Sequence, residues 1–383
     1  MSKENSTFKW EKPGPLTIQA VETEALRVPL NQEYRGSKYS MTNRCTIITR
    51  ILTHQGVVGE VYTGDTDEEQ AAILKIIHNE LAPAITGLDV FNTAGCWEAM
   101  KPATYDILRD RNVVMQAISA VDQAIWDTVG KALGMPLYRL WGGYTNHMPI
   151  IAIGGYYGQT HDELAAEVAD YLSYGVIGMK FKIGGLTPEE DIERLMVARS
   201  VVPADFRFMV DANQGYDLHQ AIKFVRLAQE HGVELHWFEE PVRWYNDERW
   251  LRDVRLATGI PVTAGQSAYS LSAVRELIEA GSIDYCNFDG SWAGGPSMWL
   301  KAAAMAYAYG VKMAHHEEAQ IASHMMGAIA HGSYVECFHA NRDPIFWHIQ
   351  TTERPIRDGY YTVPDLPGFG IQLDREYIQR HKV

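Results

Sequence analysis

Gly178-Met179-Lys180-Phe181-Lys182-Ile183-Gly184 is a short apolar run closed by glycine at each end, with two lysines two positions apart. Residues i and i+2 of a strand point to the same face, so as a strand this run crowds two ammonium groups into one place. Their like charge, and any metal cation nearby, disfavours protonation. One lysine can then be neutral near pH 7 and act as a base while the other stays charged and holds an anion. Taken alone, a Lys-x-Lys pair reads by default as two solvated lysines on an exposed strand. The surrounding sequence decides between these readings.

The run is one of eight short β-rich stretches, at residues 149–153, 178–182, 206–211, 235–239, 261–264, 285–289, 311–314 and 334–336. Amphipathic segments such as 188–201 and 218–232 separate them. This alternation predicts a parallel βα barrel over residues 147–355. Functional side chains of such barrels gather at the C-terminal strand ends, where the loops line one mouth, and the polar residues of this chain fall there. Residues 1–146 have another pattern, a strand pair around 16–29 and 45–61 leading into helical segments that include 114–133. A separate α+β lobe is expected there. The last stretch, 356–383, is rich in Tyr, Pro and Gly and is expected to fold back onto that lobe.

With 383 residues, 46% of them apolar, the chain can bury a large core in one extended domain or two. A formal net charge of -14 argues against nucleic acid or an anionic membrane as partner, since both demand basic patches. No apolar run reaches membrane-spanning length and no apolar segment comes after Met1, so cytoplasmic residence is expected. Cys45, Cys96, Cys286 and Cys337 lie far apart, which suggests core thiols rather than a disulfide framework or a zinc site. The expected partner is a small-molecule carboxylate substrate, bound by a homo-oligomer.

The strand ends carry the chemistry. Met209-Val210-Asp211-Ala212-Asn213 and Trp237-Phe238-Glu239-Glu240-Pro241 deliver acids from successive βα units. Carboxylates arriving this way are hard oxygen ligands suited to Mg²⁺. Alternation sends Glu239 and Glu240 to opposite sides, which favours Glu239 as the ligand and leaves Glu240 to an ion pair behind it. Asn287-Phe288-Asp289 and Ala314-His315-His316 close neighbouring strands, so Asp289 can accept the Nδ1–H of His316 and make it a second base. Coming from the other side of the barrel, His316 would approach a substrate from the face opposite Lys182, while His315 points away. Glu336 ends the last strand, either as a protonated or strongly hydrogen-bonded acid near the substrate carboxylate or in a structural salt bridge.

Together these residues resemble the mandelate racemase subgroup of the enolase superfamily over essentially the whole chain. The resemblance rests on Lys180 and Lys182, on Asp211 with Asn213, on Glu239-Glu240-Pro241, on Asp289 through Gly294-Gly295, and on His316, Ile321-Ala322-Ser323-His324 and Glu336. Ser119 to Trp126, Gly130-Lys131 and Leu140-Trp141-Gly142-Gly143 look like its capping-domain helix and the turn after it. It implies an α/β fold, a modified TIM barrel (β/α)₇β with an α+β capping domain built from both chain ends. It also implies Mg²⁺ held by Asp211, Glu239 and the residue ending the fifth strand. There the chain departs from the family pattern: a Gly-Glu or Gly-Asp is usual, and this sequence has Ala264-Gly265-Gln266-Ser267. Gln266 offers a neutral carbonyl oxygen, so Mg²⁺ affinity should fall while the cation polarises substrate more strongly.

The implied reaction removes the proton α to a carboxylate, with the metal and Lys180 neutralising charge on its oxygens. If the second base returns a proton to the other face, an epimer results. If His316 protonates a β-hydroxyl, water leaves and a 2-keto acid forms. The loop 31–44 is polar where an aromatic hydroxy acid would want apolar walls, and Tyr156 and Tyr157 add hydroxyls, although a solvated surface loop has a similar composition. Lys38, Tyr39, Asn213 and Tyr156 are therefore candidate substrate contacts, and Arg35, Lys38 and Arg44 leave room for a second carboxylate. An acid-sugar dehydratase comes first, a 2-hydroxy acid racemase or epimerase second, and a catalytically inactive binding relative third.

Overall fold

The computed structural model describes residues 14–66, 69–352 and 356–383. The start of the N-terminal lobe, and the expected junction at residues 355 and 356 on its barrel side, therefore lie outside the described residues.

Eight parallel strands form the barrel: β4 (His147–Gly154), β5 (Gly178–Lys182), β6 (Arg207–Asp211), β7 (Leu235–Glu239), β8 (Val262–Ala264), β9 (Tyr285–Cys286), β10 (Lys312–Met313) and β11 (Val335–Phe338). Each of β4 to β9 pairs with the next, and β11 pairs parallel with β4 on the other side, Val335 opposite Ile150. Both faces of these strands are covered, which is why β5 is buried at every position. Period-2 alternation sorts the side chains into two packing layers. Met179, Phe181, Phe208, Val210 and Phe238 face outward beneath the helices. Ile151, Ile153, Met209, Trp237, Tyr285 and Tyr334 fill the interior. Two residues beyond Met209 and Trp237 on the inward phase stand Asp211 and Glu239, so the pattern that fills the barrel also aims the acids.

The helices start where their caps dictate. Thr187 and Asp217 each accept a hydrogen bond from the backbone three residues on, and Glu190 and Gln220 reciprocate, opening the helices Pro188–Ser200 and Leu218–Glu230.

The N-terminal lobe holds three antiparallel strands rather than two: β1 (Ile18–Arg35), β2 (Ser40–Thr53) and β3 (Val58–Tyr62). The stretch expected as one strand over 45–61 breaks at a tight turn where Gly56 adopts φ +84°. The polar stretch 31–44 is also more regular than a loop. β1 and β2 run through it, leaving only a hairpin tip between Arg35 and Ser40. That tip leans over the barrel mouth, where the Ser37 hydroxyl donates to the Ala212 carbonyl at 2.5 Å. Helix Arg111–Leu133 packs behind the sheet.

The C-terminal segment does two things. It first adds a small hairpin, β12 (Ile356–Arg357) and β13 (Tyr360–Thr362), whose second strand pairs antiparallel with the start of β4. Then it returns to the lobe: Arg375 binds Glu60 at 2.7 Å, and the Val383 amide donates to the Ala25 carbonyl at 3.1 Å. Among the described residues, no helix is long and apolar enough to cross a membrane. All four cysteines are buried.

Candidate active site

A cavity of about 460 Å³ opens at the C-terminal mouth of the barrel beneath the β1–β2 hairpin tip. Lys182, Asn213, Gln266 and His316 line it from the barrel, and Lys38 and Tyr39 from the tip. Below it the charged strand ends interlock. Lys182 Nζ donates to Asp211 Oδ2 at 2.6 Å and to Asn213 Oδ1 at 3.2 Å, while Asn213 donates back to Asp211 at 3.1 Å. Lys180 Nζ donates to Glu239 Oε1 at 2.7 Å and also binds Glu336.

Charge sets the protonation of these groups in a way the lysine spacing does not disclose. Burial disfavours the ammonium of Lys182, but Asp211, Tyr39 and Tyr156 together outweigh it and raise its pKa well above the ordinary lysine value. Lys180 is likewise raised, against burial, by Glu239, Glu336 and Asp211, each of which acts on it more strongly than the neighbouring lysine. The acids packed around the pair act on both lysines in the direction opposite to their like charge.

Three oxygen donors stand on successive strands. Asp211 and Glu239 are paired across β6 and β7, and Gln266 comes just after β8. Glu239 Oε2 is buried with no hydrogen-bond partner, an uncommon condition for a carboxylate oxygen. Burial pushes the Glu239 pKa up, and Asp211 and Glu336 add to this against Lys180. A crowded pair of carboxylates with one orphaned oxygen, followed at the end of the next strand by an amide oxygen that Asn287 approaches at only 3.4 Å, fits a hard divalent cation. Among the described residues no group of three His, Cys, Asp or Glu side chains forms a metal cluster.

His316 and Asp289 meet. Nδ1 of His316 lies 2.9 Å from Asp289 Oδ2, which leaves Nε2 toward the cavity, and the Trp292 ring stands 4.8 Å from the imidazole. Burial works against the charged ring, but Glu317, Asp289 and Glu336 prevail and bring its pKa up to about 9. A histidine whose Nδ1 is held by a carboxylate and whose Nε2 faces the cavity can take up or give a proton there. His315 points the other way. Its Nε2 accepts the Gly290 amide proton and its Nδ1 donates to the Glu317 carbonyl, and burial lowers its pKa. Lys182 ends β5 and His316 follows β10, five strand steps apart along the paired order of the sheet.

Several expected roles change. Glu336 makes the structural salt bridge with Lys180, accepts the Glu317 amide at 2.9 Å and does not line the cavity. Glu240 makes no ion pair among the described residues. Its φ of +37° turns the chain out of the strand and brings the side chain to the cavity wall, where Trp244 and Gln214 donate to it. Tyr156 is buried behind the cavity with Arg342 Nε 3.2 Å from its hydroxyl, and the Tyr157 hydroxyl donates to Asp191. Neither tyrosine lines the cavity. Arg44 cannot hold a substrate carboxylate, because Asp65, Glu317, Glu318 and Asp343 surround it at 2.6–3.2 Å.

Arg342, Glu317 and Trp292 line the cavity and were not singled out in the sequence. Glu317 could have been found from its place directly after His316, which puts its carboxylate within reach of the same mouth. Arg342 sits in an irregular turn after β11 and gives no such signal.

Family comparisons coincide with this geometry. The family model described as "Enolase C-terminal domain-like" matches residues 163–377, and "Mandelate racemase / muconate lactonizing enzyme, N-terminal domain" matches 20–142. The chain belongs to the mandelate racemase/muconate lactonizing enzyme family of the enolase superfamily. Within it, an arabinonate dehydratase of Saccharolobus solfataricus is 31% identical over 349 residues, covering 88% of this chain and 90% of that one. A crystal structure of a mandelate racemase/muconate lactonizing enzyme superposes with a TM-score of 0.93 at 47% identity, covering 96% of this chain and all of the other. Another, from a marine actinobacterium in complex with magnesium, gives a TM-score of 0.90 at 45% identity, covering 96% and 99%.

Proposed function

We propose that this enolase-superfamily enzyme abstracts the α-proton of a carboxylate substrate with the help of Mg²⁺, and that it dehydrates an acid sugar, an aldonate or aldarate, to a 2-keto-3-deoxy acid. Asp211, Glu239 and Gln266 would hold the ion. When bound, it supplies Lewis-acid charge to the substrate carboxylate. Lys180 adds positive charge beside the same oxygens. Lys182 takes the α-proton once the charge of Asp211 is satisfied, and the hydroxyl on the next carbon leaves with a proton from His316 Nε2. Loss of water gives an enol that becomes the 2-keto acid.

The observation that carries dehydration over epimerisation is the His316–Asp289 pair, which turns Nε2 of the ring toward a cavity that Lys38, Tyr39 and Asn213 also line. An imidazolium held by Asp289 at neutral pH can donate to a leaving hydroxyl, whereas a racemase needs the same group to alternate between donor and acceptor. The 31% identical arabinonate dehydratase and the polar side chains Lys38, Tyr39 and Asn213 at the cavity wall support the same direction. Lys38, Tyr39 and Asn213 are proposed substrate contacts. Screening the purified protein with Mg²⁺ against aldonic and aldaric acids, with a 2-keto acid readout, tests this reading. Turnover of a member of the panel is expected. A panel in which acids are epimerised and no keto acid appears would replace the dehydratase reading with the epimerase one.

A further inference from the structure

Glu317 stands in an unusual place for an acid. It and Glu318 both have φ near +50°, the left-handed region that non-glycine residues rarely occupy. Backbone strain of this kind persists only where the surroundings over-determine it. Here they do: the Glu317 amide donates to Glu336, Arg44 binds Glu317 Oε2 at 3.1 Å, and the same guanidinium binds Glu318 at 2.6 Å. This clamp leaves Glu317 Oε1 on the cavity side, 3.7 Å from His316 Nε2 and 3.7 Å from Arg342 Nη2, outside hydrogen-bond distance of both. A hydroxyl placed between Nε2 and Oε1 could accept from one and donate to the other.

We propose that Glu317 is a positioning residue for His316, its clamped carboxylate holding the cavity-side nitrogen in the proton-donating form and accepting a hydrogen bond from the hydroxyl that departs. Asp289 orients the imidazole from behind, and Glu317 sets its charge from the front. The other titratable groups facing His316 are Glu336 from β11, Glu240 from the end of β7 and His315 beside it. Glu317 precedes them all among the groups that favour the imidazolium. It is itself ionised throughout the working range, because Arg44, His316 and Arg342 overcome its burial and bring its pKa down to about 2.

Titration of ¹⁵N-histidine-labelled protein by NMR, with MgCl₂ present and the His316 signal assigned by its loss in His316→Asn, tests this without a substrate. Glu317→Gln should lower the His316 pKa by a unit or more, about tenfold in proton affinity. Glu318→Gln, which removes the acid turned toward Arg44 and Gln320, should move it far less. Should Glu317→Gln fail to fold, Glu317→Asp carries the test, with a smaller shift of the same sign. An unchanged His316 pKa in the folded Glu317 variant overturns the proposal. The consequence for turnover rests on the dehydratase reading, and is a kcat whose alkaline limb moves down in pH with little change in KM. The titration stands apart from that reading, so the two can fail separately.

Discussion

Gln266 is the residue at which this chain departs from its family, and its effect is open to measurement. Replacing a neutral amide oxygen by a carboxylate adds a full charge to the donor set. Gln266→Glu should therefore tighten Mg²⁺ binding, and calorimetry showing no change in affinity would remove Gln266 from the ion. His316 makes a second prediction. General acid catalysis contributes about 10²–10⁴-fold, so His316→Asn should lose dehydration by that order. Exchange of the α-proton with solvent should survive, because Lys182 is untouched. In the native enzyme kcat should fall as pH rises through about 9, where His316 loses its proton. The same raised pKa means that the stability His316 contributes is fully present below its ordinary value near 6.5 and is lost as pH rises through about 9. The type and position of the strand-end residues were legible in the sequence because alternation and βα spacing fix which side chains reach the mouth. Their charge states were not, because Lys180 and Lys182 answer to Glu239, Glu336 and Asp211, and the sequence distance between them hides that packing.

At the level of elements, the long helix Arg111–Leu133 does more than cover the lobe sheet. The Ser119 hydroxyl accepts the amides of Gly294 and Gly295, and Asp122 accepts from the backbone and hydroxyl of Ser297. The helix thus holds the loop after β9 that carries Asp289 and Trp292. On its other side the C-terminal segment crosses at Gly130, where an added Cβ would lie 2.6 Å from the Gly368 Cα. Backbone at that distance cannot rotate away, so Gly130→Ala should destabilise the fold by about 1–3 kcal/mol through overpacking. A urea midpoint that falls with an unchanged slope would show this, and an unmoved midpoint would deny the close crossing. These contacts explain why element boundaries were only partly legible. The eight barrel strands announced themselves by apolar runs. The third lobe strand and the β12–β13 hairpin depend on turns and on pairing with β4, which residues 45–61 and 356–362 do not display.

Across the whole molecule, Arg44 is one tie between the lobe and the barrel. It rises from β2 into four carboxylates, three of which, Glu317, Glu318 and Asp343, belong to loops of the barrel mouth. Removing one partner of a buried ion network leaves the rest uncompensated, at a cost of about 3–5 kcal/mol. Arg44→Met should lose stability of that order in urea unfolding and impair turnover as well, since the lobe then no longer holds Glu317 against His316. The N-terminal hairpin thus forms the roof of a cavity whose floor comes from the barrel. The central claim is that Lys182 and His316 divide a dehydration between them. Turnover of an acid sugar by the Mg²⁺-loaded enzyme in D₂O, monitored by NMR, tests it most directly. A 2-keto-3-deoxy acid carrying one solvent deuterium at carbon 3 is the expected product, and an intact polyol changed only in configuration at carbon 2 would contradict it.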